Sequence, residues 1–127
     1  MARKLKYGNH PVDFDGQHFD GKKEATYYVY FRDLARKGEI SNLRRQVPFE
    51  LLPDIYEQKI IHLKTKDKVI QKVVQSAVYY YADFVFADKQ GKEVVVDVKS
   101  EATRKDKVYV LKKKMMKAIL GIDIREL

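Results

Sequence analysis

An aspartate and a lysine end a segment rich in valine, residues 91–100. Three successive valines precede Asp97, and Val98 separates Asp97 from Lys99. Such β-branched runs favour a buried strand, in which alternate side chains share one face. Asp97 and Lys99 therefore leave the strand on the same side. A carboxylate and an ammonium placed in this way can form either a salt bridge or a catalytic site.

Two more acids stand where the local pattern requires apolar residues. Glu24 lies within the apolar stripe of a helix predicted over residues 22–37. An acid in the first turn is also favoured by the helix dipole alone, so a purely structural role for Glu24 stays open. Asp83 interrupts a strand of aromatic and β-branched residues predicted over 76–87. A turn after this strand pairs it with the next one and brings Asp83 across from Asp97 within about one pairing step, while the face that Asp83 takes depends on the turn register.

Carboxylates that converge in one place repel one another and raise each other's pKa unless a cation lies among them. Mg²⁺ suits that position because it prefers oxygen ligands, commonly one or two carboxylates, waters and phosphate oxygens. A nearby lysine can orient an attacking water or stabilise the charge that develops on a phosphorus. The four ionic residues therefore fit phosphodiester hydrolysis: Glu24, Asp83, Asp97 and Lys99.

The remaining strands are predicted from alternation and from turn residues. Residues 42–52 favour a strand, with Gln46 in its first part. Pro48 indicates an edge position or a bulge. Residues 54–75 favour a hairpin extension, with a short helix as the alternative. A last strand through Ile122 and Ile124 is predicted to run parallel to the central strand, because a helix connects the two.

That connecting helix is predicted over residues 104–120, with Thr103 as its N-cap and Asp106 completing a capping box. Its predicted core-facing side consists of Val108, Leu111, Met115, Ala118 and Ile119. Eight basic residues against two acids lie between positions 99 and 117. The positive charge is therefore concentrated just after the central strand.

Length and composition limit the possible classes of protein. A chain of 127 residues predicts one domain, and residues 1–20 are interpreted as a basic N-terminal arm. The absence of cysteine excludes disulfides and thiolate zinc sites. No apolar run approaches the roughly 20 residues that span a bilayer, and the polar start predicts a cytoplasmic protein. The net charge of +8 favours a polyanionic partner.

The order of these acids resembles the PD-(D/E)XK nuclease superfamily. Asp83 corresponds to its first acid, residues 97–99 to its (D/E)-x-K, and Glu24 to the helical acid of the branch that includes Holliday junction resolvases. The segments FDGKKEA, QVPFEL, YADF and VVDVKS are similar to a small phage- and prophage-encoded group, over about residues 18–127. Two departures are Ala82, where proline usually precedes the first acid, and Gly21, where serine often caps the helix.

The resemblance implies an α/β fold with a restriction-endonuclease-like core: helix, three-stranded antiparallel meander, helix, parallel strand (αβββαβ). It implies a Mg²⁺ site, which Mn²⁺ could also occupy, and a lysine, Lys99, that orients the nucleophilic water. The implied metal ligands are Asp83, Asp97, the backbone carbonyl of Val98, and Glu24. Gln46 is implied as a catalytic helper, with an ordinary polar strand end as the alternative.

The same resemblance implies a metal-dependent DNA endonuclease, acting on branched DNA as a homodimer in a phage-infected or prophage-carrying bacterium. The residues expected to contact nucleic acid are Thr103, Arg104, Tyr109, Lys112 and Lys113. A solvated helix face is the alternative for the lysines. Two other functions stay open: a non-catalytic nucleic-acid-binding module and a phage structural or assembly protein.

Overall fold

In the computed structural model, which describes residues 11–127, the elements alternate in an α/β order. The strands and helices are β1 (Val12–Phe14), β2 (Gln17–Phe19), α1 (Lys22–Arg36), β3 (Ser41–Leu52), β4 (Ile55–His62), β5 (Asp67–Gln75), β6 (Val78–Ala87), β7 (Glu93–Asp97), α2 (Glu101–Arg104), α3 (Lys107–Leu120) and β8 (Ile124–Glu126). None of the described helices combines the length and apolar character that crossing a membrane requires.

A four-stranded sheet in the order β3-β6-β7-β8 forms the centre of the fold. The first three strands are antiparallel, and β8 runs parallel to β7, as a helical connection between them requires. Helix α1 packs on one face through Phe31, which contacts the rings of Phe84 and Phe86. Helix α3 covers the other face through Tyr109 and Met116. The predicted α/β class and the order of these elements are confirmed.

Strands β3 and β6 change sides in the middle of the sheet. Tyr80 and Ala82 belong to the core cluster on the α3 side, whereas Phe84 belongs to the cluster on the α1 side. Regular alternation would place all three on one face. The change occurs at Asp83 and at Gln46, which adopts a φ of 49°. A positive φ is unusual for a residue other than glycine.

The hairpin extension predicted for residues 54–75 is confirmed as β4 and β5, which pair only with each other in the described sheets. It continues from the ends of β3 and β6, where Leu52 pairs with Val78. Eight residues at about 3.3 Å each make it a ribbon of roughly 26 Å. We call residues 55–75 the arm.

The N-terminal prediction is corrected for residues 11–20, while residues 1–10 lie outside the described part of the chain. Residues 12–19 form a β-hairpin rather than a basic arm, and Phe19 is fully buried against Tyr28. The turn residues Asp15 and Gly16 have φ values of 53° and 69°. Asp-Gly is a favoured pair for such hairpin turns. The Asp15-Gly16 pair is therefore the local sequence signal for this hairpin.

The single helix predicted over 104–120 is also corrected, because the segment is divided. Ser100, not Thr103, caps α2, and its hydroxyl accepts from the Thr103 N–H at 3.3 Å. Asp106 then caps α3 by accepting from the Val108 N–H at 2.9 Å. Two N-caps six residues apart start two helices, so Asp106 begins a helix instead of completing a capping box.

The predicted core side of this helix is wrong as well, except for Met115, which packs against the core. Val108, Leu111 and Ile119 are 50–61% exposed, whereas Tyr109 and Met116 are buried. The helix is apolar on two sides, and periodicity alone does not choose between them. Tyr109 decides the orientation here, since its ring fills the core while its hydroxyl reaches Glu126.

Candidate metal-binding and catalytic site

Helix α1 brings Glu24 into the protein interior, where the residue is 7% exposed. An ionised carboxylate is costly there unless a cation meets it. Arg45 on β3 supplies that cation, with its guanidinium donating to Glu24 Oε1 at 3.1 Å. The same guanidinium stacks over the ring of Phe19 at 3.8 Å. Glu24 therefore faces the core, as its position in the apolar stripe predicts, and it is paired.

Gln46 connects this buried ion pair to the next acid. Its amide nitrogen donates to Glu24 Oε1 at 3.0 Å and to Asp83 Oδ1 at 3.1 Å. The two carboxylates therefore lie within the span of two hydrogen bonds. The positive φ of Gln46 aims the side chain at the site, so the local backbone distortion serves this bridge.

Asp83 and Asp97 meet at the carboxyl end of β7. Continuing the register in which Phe84 pairs with Val96 places Asp83 opposite Asp97. Burial first, and then the charge of Asp97, raise the pKa of Asp83 to about 8. The Val98 N–H, which donates to Asp83 Oδ2 at 2.8 Å, acts in the opposite direction. In the absence of a cation, this pair of acids therefore holds a proton at neutral pH.

Asp97 is the most deeply buried acid in the described residues, at 1% exposed. The Tyr80 hydroxyl donates to its Oδ2 through a short hydrogen bond. Burial and the charge of Asp97 raise the pKa of Tyr80, so the hydroxyl keeps its proton. Asp97 Oδ1 makes no hydrogen bond within the described chain and has only the Lys99 ammonium at 3.5 Å. A buried carboxylate oxygen in this state suits a cation as its partner.

Lys99 reaches the surface beside these acids. Its side chain is 29% exposed, and its ammonium lies 5.1 Å from the ring centre of Tyr109. Tyr109 is held in turn, because its hydroxyl donates to Glu126, which also accepts from Lys113 at 2.6 Å. The Lys99 ammonium therefore lies beside a tyrosine ring that is itself fixed, and its side chain stays partly exposed.

A polar cleft of about 150 Å³ is lined by four of the six residues predicted for catalysis and metal binding. Its walls are formed by Asp20, Gly21, Lys23, Glu24, Asp83, Val98, Lys99, Ser100 and Thr103. Asp97 joins this group through its contacts with Lys99 and Asp83. Residues that are far apart in the chain, on α1, β6 and β7, therefore border one small space.

We tested whether these residues fit the implied Mg²⁺. Among residues 11–127, no group of three or more histidine, cysteine, aspartate or glutamate side chains is arranged as a metal cluster. Arg45 and Gln46 both donate to Glu24 Oε1. Two carboxylates are nevertheless sufficient for Mg²⁺, which keeps several waters. The Asp83–Asp97 pair, which in the absence of a cation holds a proton, fits such an ion.

The residues predicted to contact nucleic acid fall into two groups. In the first group, Thr103, Arg104 and Lys112 are partly exposed, and Thr103 lines the cleft. Tyr109 is only 7% exposed, and Lys113 is bound to Glu126. We therefore correct the role of Tyr109, which supports Lys99 from the protein interior and does not lie on the surface. A cleft of about 550 Å³ along α3 is lined by Arg104, Val110, Lys113, Lys114, Lys117, Ile122, Asp123, Ile124 and Glu126.

Arg45 and Tyr80 belong to the site, but the sequence did not assign them to it. The carboxylate on the core side of α1 required a cation, yet several basic residues could have supplied one. Tyr80 carried a weaker signal, because a buried tyrosine hydroxyl usually finds a polar partner. Both partners depend on contacts between distant segments, which periodicity does not specify.

Comparison with known proteins identifies a family. A family model described as a protein of unknown function, DUF1064, matches residues 4–122. This range includes every residue that lines the 150 Å³ cleft. No curated protein matches the chain, and no solved structure matches it.

Proposed function

We propose that this chain, which belongs to the DUF1064 family, is a divalent-metal-dependent DNA endonuclease with a restriction-endonuclease-like core. One observation carries the proposal: the buried Asp97 and the partly buried Asp83 repel each other beside a lysine that opens to a cleft. A salt bridge alone would use one acid and one lysine. The second acid would be an unnecessary cost in a purely structural arrangement.

The chemistry follows from the positions of these residues. Mg²⁺ at the two aspartates would polarise the phosphate and activate water. Asp83 and Asp97 would hold the ion with the Val98 carbonyl, and Glu24 would take part through water. Lys99 would hold the attacking water, whose oxygen forms the new bond to phosphorus while the P–O bond to the leaving oxygen breaks. The attacking water would release one proton to solvent and the leaving oxygen would take one up from solvent, so atoms and charge balance.

The charge of the chain supports DNA as the substrate. The net charge is +8, and the segment after the central strand carries eight basic residues against two acids. Basic side chains next to a cleft attract phosphates and release counterions, so binding should weaken with added salt. Thr103 and Arg104 are the nearest candidates, because Thr103 lines the cleft itself and Arg104 follows it in the chain. Branched DNA of phage recombination is the substrate that we propose.

A non-catalytic nucleic-acid-binding module is the second candidate. The observation that favours it is that Glu24 and Asp97 already contact the cations of Arg45 and Lys99. Such a module would bind DNA without a metal. A phage structural or assembly protein would show no salt-dependent DNA affinity at all.

The experiment compares cleavage and binding of the same DNA substrates. We expect the wild-type protein to cut at least one substrate from a panel of linear, nicked, flapped and four-way DNA, with Mg²⁺ or Mn²⁺ and not with EDTA. Lys99→Ala and Asp97→Asn should abolish cleavage but retain DNA binding. Lys89→Ala and Glu39→Gln are matched controls, because these two exposed residues pair with each other away from the cleft and outside the basic segment.

The possible outcomes separate the candidates. A wild-type protein that binds every substrate but cuts none with either metal contradicts the nuclease and supports the binding module. Equal loss of cleavage in the control variants would show that any charge change impairs the protein, and would also contradict the assigned roles. Absence of DNA binding at low salt would favour an assembly protein.

A further inference from the structure

The arm has two chemically different faces. In an antiparallel ribbon, residues directly opposite each other share a face, so the register sorts the paired side chains from Tyr56 to Val73, beyond which a bulge leaves Val74 without a partner in β4. One face, which we call the apolar arm face, carries Tyr56, Gln58, Ile60, His62, Asp67, Val69, Gln71 and Val73. The other, the lysine arm face, carries Glu57, Lys59, Ile61, Lys68, Ile70 and Lys72. All three lysines of these two strands are therefore on one side.

The apolar side chains of the two faces differ in exposure. On the apolar arm face, Tyr56, Ile60 and Val69 are 54–60% exposed, and Val73 is 46% exposed. On the lysine arm face, Ile61 and Ile70 are only half-exposed or less. Lysine stems can cover apolar neighbours while the ammonium stays in water. The lysine arm face is therefore suited to solvent, whereas the apolar arm face leaves its β-branched and aromatic side chains uncovered.

An isolated two-stranded ribbon is marginally stable in water, and it normally needs a further layer on its apolar side. The charges of the apolar arm face indicate which partner fits. It carries no lysine or arginine, and its histidine and its acid, His62 and Asp67, contact each other at 2.8 Å. Two identical copies can therefore meet without like-charge repulsion. A nucleic acid would find no cation there.

The exposed side of α3 is a weaker candidate for self-association. Val108 and Leu111 are uncovered on it, but Lys107, Lys112 and Lys114 lie close by in the same helix. Identical faces of this kind would bring like charges together. The arm therefore presents the surface that is better suited to a second copy of the chain.

We propose that two copies of this chain associate through their apolar arm faces, related by a two-fold axis. Face-to-face ribbons pack about 10 Å apart, and the lysine arm faces then point outward from both copies. The proposal does not rest on the proposed nuclease activity. If that activity is correct, the arrangement joins two clefts in one particle, as two cuts at a DNA junction require.

The first experiment measures mass by sedimentation equilibrium without DNA. We expect wild-type protein at micromolar concentration to have about twice the 14.9 kDa mass of one chain. Ile60→Lys places a charge in the apolar arm face and should weaken association at least tenfold. Ile61→Lys is the matched control, because the same substitution at the adjacent residue lies on the lysine arm face and should leave the mass unchanged. Circular dichroism verifies that both variants fold.

A second experiment does not depend on disrupting the interface. The chain has no cysteine, so a single introduced thiol reports only its own position. A short bismaleimide should crosslink Gln58→Cys into dimers and leave Glu57→Cys monomeric, since these neighbours lie on opposite faces. A monomer at all concentrations would overturn the proposal, and so would a dimer that Ile60→Lys does not weaken. An Ile60→Lys variant that loses DNA affinity without a change in mass would identify the face as a DNA surface.

Discussion

The raised pKa of Asp83 predicts an unusual dependence of stability on pH in metal-free protein. Asp83 has a pKa of about 8 in the folded chain and an ordinary value of 3.8 as its reference. Between these values the folded protein holds a proton that the unfolded chain has released. By linkage, the stability that Asp83 contributes therefore decreases as the pH rises from about 4 to 8. Above pH 8 both states are ionised and the decrease ends.

The magnitude follows from the size of the pKa difference. One pKa unit corresponds to about 1.4 kcal/mol, so the free energy of unfolding should fall by about 1.4 kcal/mol per pH unit because of this site. Over the whole interval the cost is on the order of 5 kcal/mol. Asp83→Asn removes the ionisation and should be more stable than the wild type, by a margin that grows with pH.

Urea denaturation in EDTA at pH 5, 6, 7 and 8 measures this margin directly. The difference between Asp83→Asn and the wild type isolates the site, because the other titrating groups are the same in both proteins. Asp97→Asn should reduce the pH dependence without abolishing it, since burial is the larger cause of the shift. Asp123→Asn, at an exposed carboxylate, is the matched control and should follow the wild type.

The metal provides an independent test of the same reasoning. A cation at the two aspartates must displace the proton, so its apparent affinity should increase about tenfold per pH unit up to pH 8. Titration calorimetry in buffers of different ionisation enthalpy should detect about one proton released per ion. The reasoning is refuted if the wild type and Asp83→Asn have parallel stability profiles between pH 5 and 8. That result would mean that Asp83 is ionised at neutral pH even when no metal ion is bound.

Three further predictions concern the groups around this pair. Tyr80→Phe removes the donor to Asp97 and should lower the free energy of unfolding in urea by about 1–3 kcal/mol. Calorimetry should also show weaker Mn²⁺ binding. An unchanged metal affinity would assign the hydroxyl a packing role only. Arg45→Ala leaves the Glu24 carboxylate buried without its cation and should cost about 3–5 kcal/mol, whereas a loss below 1 kcal/mol would show that Glu24 is solvated or protonated. Lys99→Met should reduce cleavage at least a hundredfold with Mn²⁺ affinity retained, and a parallel loss of both would make Lys99 a structural partner of Asp97.

The elements of the central sheet could be predicted because their signals are local. The valine run before Asp97 and the aromatic run around Asp83 specify strands by composition, and the short turn between them sets which residues face each other. The structure confirms these strands, and its register, which pairs Phe84 with Val96, continues to bring Asp83 next to Asp97. The burial of Glu24 could also be predicted, since a helical stripe defines which side of α1 meets the core.

The remaining features depend on information that is not local. The side of α3 that faces the core is chosen by Tyr109 and Glu126, which lie in different elements. Arg45 meets Glu24 only after α1 and β3 have packed, and several cations competed for that position in the sequence. The N-terminal hairpin is different, because its Asp15-Gly16 turn is a local signal in the sequence. The side of α3 and the partner of Glu24 are therefore physically ambiguous from the sequence, whereas the hairpin is not.

The change of sides in β3 and β6 explains why the site lies where it does. On the α1 side of the sheet, Arg45 and Gln46 approach Glu24, while on the α3 side Tyr80 holds Asp97. A regular strand could present Asp83 to only one of these groups. Because the alternation breaks at Asp83, its carboxylate contacts Gln46 and also the strand end that carries Asp97. The positive φ of Gln46 is thus the backbone distortion that lets two faces of one sheet contribute acids to a single cleft.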